Sequence, residues 1–170
     1  MQVTIMARAV LCCVGLTAVG SCGGVIGGGD SFRDQYAVAR NALEEGHFAR
    51  ANTSYARLLP QAGPLGGRIR LEYAHSLLRA GDFDAAAKQA STVAAAESGP
   101  VRGAARAVEG TAHHEIGLAL LAKGDRAGGK ARLTAAQAAL AEALSDNPEG
   151  DPLGSLAGRK ASIDARLKRL

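Results

Sequence analysis

Three groupings in this chain hold the residue types that reactive chemistry uses. Cys12, Cys13 and Cys22 cluster before position 30, His113, His114 and Glu115 are consecutive, and His75 directly precedes Ser76. A structural zinc centre takes about four ligands from paired motifs, and the cysteines have neither that spacing nor partner histidines. A zinc-protease helix sets two histidines four apart on one face, whereas neighbours on a helix point about 100° apart, so His113 and His114 do not converge on one ion. The same geometry separates the Ser76 hydroxyl from the His75 imidazole as nucleophile and base. Glu44 and Glu45 are adjacent rather than facing, and no Gly-x-Ser-x-Gly motif occurs. The expectation is a chain that is not an enzyme and that carries no metal and no cofactor.

Those residues must be positioned by a chain of 170 residues, enough for one ordinary domain with a core. Aromatic residues make up only 4% and tryptophan is absent, so alanine and leucine must fill most of the interior. Small side chains in quantity favour closely packed helices. The net charge of +4 is local, because Arg159, Lys160, Arg166, Lys168 and Arg169 stand against Asp164 alone and the rest of the chain balances. A basic C-terminal segment is therefore expected, and a body that tracks nucleic-acid phosphates is not.

The cysteines find their place at the N-terminus. Arg8 precedes an apolar run, Ala9 to Gly20, that has the length of a secretory core and is too short to span a bilayer. The run closes on Val19-Gly20-Ser21-Cys22, which resembles the bacterial lipobox. The resemblance implies cleavage of a signal peptide over 1–21, a diacylglycerol thioether on Cys22 and acylation of the new amino terminus. Two or three acyl chains make a stable anchor where one is marginal. Residues 22–30 then read as the lipidated cysteine and a glycine-rich tether, and the expected location is the periplasmic side of a bacterial envelope, at the outer membrane rather than the inner.

Beyond Asp30, helical spacing alternates with glycine-centred breaks, and no stretch sustains the two-residue alternation of a strand. The breaks at Gly46, Gly81 and Gly124 lie 35 and 43 residues apart. Gly46 is followed by Phe48, Ala51 and Tyr55, and Gly81 by Phe83, Ala86 and Ala90, whereas Gly124 is followed by Arg126, Gly129 and Leu133. This pattern resembles tetratricopeptide repeats, degenerate in the third unit. The fold class implied is all-α: an αα-hairpin solenoid of three repeats over 31–146, divided at about 32–65, 66–100 and 101–146, with a basic capping helix over 152–170. Each hairpin buries its face only against a neighbour, so about three are needed for stability. Ser31 and Asp34 suggest a capping box that opens the first helix, and Asp82 and Asp125 are candidate caps of the second helices of the later hairpins. The extra residues of the third unit are expected in a long first helix after Pro100. Leu153, Leu156, Ile163, Leu167 and Leu170 form the expected apolar stripe of the closing helix.

By the same resemblance, a protein or peptide partner lies in the concave groove lined by the first helices. The glycine register turns Arg33, Tyr36, Arg40, Arg68, Leu71, His75, Arg79, His114 and Leu118 toward that groove. A basic set with apolar interruptions suits an acidic segment, since arginine offers paired donors to carboxylate. Tyr36, Arg40, Glu72 and Glu115 occupy positions where the family's carboxylate clamp has lysine and asparagine, so a chaperone-tail ligand is not expected. The functional expectation is a lipid-anchored envelope scaffold or adaptor resembling pilus and secretin assembly lipoproteins. The alternative is a periplasmic chaperone-like accessory of cell-wall or outer-membrane biogenesis.

Overall fold

The computed structural model describes residues 27–170, with side chains from Ser31 onward. The expected signal peptide, the expected lipidation at Cys22 and the start of the expected tether lie outside the described residues. Seven α-helices follow one another: α1 (Gly27–Glu44), α2 (Phe48–Leu58), α3 (Gly66–Ala80), α4 (Phe83–Ala96), α5 (Gly99–Ala122), α6 (Arg126–Asp146) and α7 (Ser155–Leu167). Each packs against the next in sequence, and α3 also meets α5 across the intervening helix. No described helix is long and apolar enough to cross a membrane.

The three tight turns have one construction. Gly46, Gly81 and Gly124 take φ values of 78°, 81° and 85°, a left-handed conformation that a side chain disfavours. In each, the glycine N–H donates to the carbonyl three residues back, and the following N–H donates to the carbonyl five residues back: His47 to Ala42 at 2.8 Å, Asp82 to Leu77 and Asp125 to Leu120 at 3.0 Å. This is the Schellman arrangement, which satisfies carbonyls left open at a helix end. Asp82 and Asp125 then cap the next helices, accepting from the Ala85 N–H at 3.3 Å and the Gly128 N–H at 2.8 Å.

Phe48 and Phe83 open α2 and α4, and Ala51 and Ala86 are fully buried against the preceding helices. The first core gathers Ala39, Ala42, Ala51, Tyr55, Leu58 and Ile69. Leu77, Ala86 and Ala112, with Phe83 against them, continue it into the second hairpin. No aromatic residue follows Phe83.

The third hairpin is built differently. α5 has 24 residues against 15 in α3, so the extra length does fall in this helix, but α6 is also long at 21 residues. Gly103, Gly110 and Gly117 recur every seven residues along α5, opposite Ala143, Ala136 and Gly129 of α6. A Cβ added to any of these three α5 glycines would lie 3.2 Å from the facing carbonyl oxygen. The glycines let two backbones approach as antiparallel rods, with Leu133 and Leu140 filling the space beside them. At the position of Phe48 and Phe83, Arg126 instead donates to the Leu170 carbonyl at 2.8 Å and to that of Arg169 at 3.4 Å. The departure from the aromatic pattern thus ties the start of α6 to backbone oxygens just beyond α7.

Two expectations about the ends are corrected. α1 already begins at Gly27, so Ser31 sits inside the helix, where its Oγ accepts from Gln35 Nε2 at 3.0 Å instead of capping. Leu153 precedes α7 and is 92% exposed, so it is not part of the stripe. Ile163 is buried with Leu133, Ala136 and Leu140, and Leu156, Leu167 and Leu170 pack around them. The helix starts only after Gly154 because Asp151 accepts from the Leu156 N–H at 3.0 Å and the Ala157 N–H at 2.9 Å, closing the first turn.

Candidate functional site

The apolar residues of α3 divide between two faces. Ile69, Ala74 and Leu77 go to the core, whereas Leu71, His75 and Leu78 line a surface trough. On one side of Leu71 and His75 is a cavity of about 370 Å³ bounded by Arg40, Leu43 and Glu44 of α1 and by Glu72 and Arg79 of α3. On the other is a cavity of about 380 Å³ floored by Ala104, Ala107, Val108 and Thr111 of α5. Ser155 and Leu156 of α7 close its far end. Leu71 and His75 belong to both walls, which makes the two cavities neighbouring compartments, one ionic and one apolar.

The ionic compartment is less basic than the sequence suggests. Glu72, with its side chain 14% exposed, lies at the centre of four partners. Its Oε1 accepts from Tyr36 OH at 2.9 Å and Arg68 Nε at 3.1 Å, and its Oε2 accepts from Tyr55 OH at 3.0 Å. Arg40 adds an ion pair to the same carboxylate at 3.6 Å and a shorter one to Glu44 at 2.6 Å. Burial, and then the charge on Glu72, push the Tyr55 phenol above its ordinary pKa, so it stays a hydrogen-bond donor. Arg40 and Arg68 are therefore occupied by the chain's own carboxylates, and Tyr36 packs against the first core while its hydroxyl reaches Glu72.

Arg79 differs from them. Its guanidinium lies 5.3 Å over the Phe48 ring, and it forms no salt bridge with a described residue. His75 keeps part of its ring in solvent, yet the packing around it, followed by the charges of Arg79 and Arg40, holds its pKa below the usual histidine value. At neutral pH, Arg79 is accordingly the cation left with open donors in this compartment. Ser76 is fully buried on the opposite face, so the His75–Ser76 neighbours do not meet.

The His113–His114–Glu115 run is split between two faces. His113 lies 3.2 Å from Arg132 of α6 and 3.9 Å from Glu109. His114 lies 2.9 Å from Arg159 of α7, whose guanidinium also reaches Glu115 at 3.0 Å. Burial first, and then a neighbouring guanidinium, lowers the pKa of both rings.

Of the expected groove set, the structure brings Arg40, Leu71, His75 and Arg79 together in the trough. Arg68 and Tyr36 stand at its edge on Glu72, while His114 is engaged by α7. Arg33 is exposed and Leu118 half-buried, and neither lines the two compartments. The apolar floor, Ala104, Ala107, Val108 and Thr111, was not among the expected residues. Its signal was present as small and apolar residues three and four apart on α5. Counting back from Gly124 with the register of the shorter hairpins lands nearer the turn, whereas the longer α5 presents earlier residues to the trough.

Comparison of the chain with protein-family models, with curated proteins and with solved structures finds no match.

Proposed function

We propose that this protein is a non-enzymatic scaffold or adaptor of the bacterial envelope, of tetratricopeptide type, which takes a segment of a partner protein in the trough between α1, α3 and α5. The observation that carries this reading is the pair of compartments sharing Leu71 and His75, one of about 370 Å³ with open arginine donors and the other of about 380 Å³ with an apolar floor. An extended segment presents side chains to neighbouring pockets in this way, with apolar anchoring in one and carboxylate pairing in the other. The three left-handed glycine turns with equal hydrogen bonding support the repeat reading, and the lipobox-like Val19-Gly20-Ser21-Cys22 supports lipid anchoring on Cys22 at the periplasmic side.

Affinity capture from detergent-solubilised envelopes tests the trough. Ala107→Arg fills the apolar compartment and Arg79→Glu reverses the open charge, and each is expected to lose the same captured component. Identical capture by both variants and the parent chain would sink the reading. Palmitate labelling of Cys22→Ala is expected to vanish, and persistent labelling would place the anchor elsewhere.

A further inference from the structure

At the other end of the array, the α5–α6 turn and the end of α7 bring cations from two parts of the sequence to one edge. Arg126 spans them, with Nη2 2.8 Å from the Leu170 carbonyl oxygen. Lys130 is one helical turn further along α6, and Lys123 precedes the same helix in the turn. Arg166, Lys168 and Arg169 surround the α7 terminus. All six are exposed, and none forms a salt bridge with a described residue.

Acids near this edge are already engaged. Asp125 caps the Gly128 N–H, Asp164 is held by Lys160 at 2.9 Å and by Gln137 at 2.6 Å, and Glu115 is held by Arg159 at 3.0 Å. Asp125 and Asp164 thus stand as two acids beside six cations, and Arg126 is held by the Leu170 oxygen, so the edge keeps a net positive charge.

We propose that this edge, formed by Lys123, Arg126, Lys130, Arg166, Lys168 and Arg169, docks on the phosphate headgroups of an anionic lipid surface. Ala161, Ser162 and Ala165 are among the exposed small residues of α7, so the long side chains of Arg166, Lys168 and Arg169 extend beyond these neighbours. A nucleic-acid single strand would be served by stacking rings, and the sequence has no aromatic residue after Phe83. A peptide would be served by a cavity, and neither trough compartment includes any of the six residues. The proposal is independent of the trough, whose variants Ala107→Arg and Arg79→Glu do not touch this edge.

The test is sedimentation of the full chain carrying Cys22→Ser, so that acylation contributes nothing, with phosphatidylglycerol vesicles and with phosphatidylcholine vesicles. Each cation near an anionic surface is worth about a five-fold change in partitioning. Arg166→Gln with Lys168→Gln and Arg169→Gln is expected to lower the phosphatidylglycerol-dependent increment on the order of 100-fold. Lys123→Gln with Lys130→Gln, in a separate helix, lowers it about 25-fold. A full increment in either variant overturns the proposal. So does tighter binding of the unreplaced edge to a duplex oligonucleotide or to polyglutamate than to the vesicles. Complete competition by millimolar inorganic phosphate also overturns it, because that would describe one phosphate site and not a surface.

Discussion

Gly110 of α5 faces Ala136 of α6 so closely that a Cβ on the glycine would lie 3.2 Å from the alanine carbonyl oxygen and 2.8 Å from Leu140 Cγ. Gly110→Ala gains about 1 kcal/mol of helix preference and loses about 1–3 kcal/mol to overpacking. The expected result is a lower melting temperature, and Gly110→Val should lower it further. Gly158→Ala is the contrast: that glycine lies within α7 with nothing within 4 Å of the added Cβ, so the same change should raise stability by up to about 1 kcal/mol. Thermal unfolding followed by circular dichroism reads both, and a stabilised Gly110→Ala would contradict the close packing of α5 on α6.

The three turn glycines should respond alike. Gly46, Gly81 and Gly124 share a left-handed backbone, and an alanine there costs about 1–2 kcal/mol. Gly81→Ala and Gly124→Ala have no steric obstacle to the new Cβ, so their losses report backbone strain alone. Urea midpoints falling by similar amounts at these two sites are the expected result, and a neutral Gly124→Ala would show that the third turn can adopt another conformation.

Glu72 joins the first two hairpins through Tyr36, Tyr55 and Arg68. Glu72→Ala leaves the buried Tyr55 hydroxyl without its acceptor, a loss of about 1–3 kcal/mol. Glu72→Ala combined with Tyr55→Phe should recover part of that loss, because the orphaned hydroxyl is removed as well. Additive losses in the double variant would argue against the bond between them.

Acid should destabilise the protein in two stages. The histidines His75, His113 and His114 have pKa values lowered by folding, so the unfolded chain binds more protons as pH falls below about 6.5. Their neutral-state contribution is full above that pH and is lost as pH falls through the folded values. Asp151 is likewise lowered, first by the Ala157 and then by the Leu156 backbone N–H, so its contribution is full above about pH 4 and is lost below it. Denaturant titrations across this range should show His114→Gln flattening the upper stage and Asp151→Asn the lower. An unchanged profile in the first variant would remove His114 from the account.

Much of the backbone plan is written locally. A glycine that ends a helix, the aspartate that caps the next and a proline at the start of α5 act through neighbours a few residues away, so Gly46, Gly81, Gly124, Asp82, Asp125 and Pro100 mark the joints independently of packing. The N-terminal start was less legible, because the glycines before Ser31 suggest a break while the structure continues the helix through Gly27. The seven-residue spacing of Gly103, Gly110 and Gly117 was also present, but glycine inside a helix weakens it unless a second backbone fills the gap, and that backbone is supplied by α6.

By itself, then, the order of residues determined an all-helical chain, its turn positions and the basic character of its C-terminal end, since these follow from backbone preference and charge counting. Tertiary structure alone decided that Glu72 would meet Arg40, Tyr36 and Tyr55, that Arg159 would engage His114, and that Ala104 and Val108 would floor the trough. Each depends on which faces meet when helices far apart in sequence are packed, and hydrogen bonding and ion pairing act only across that final separation of a few ångströms.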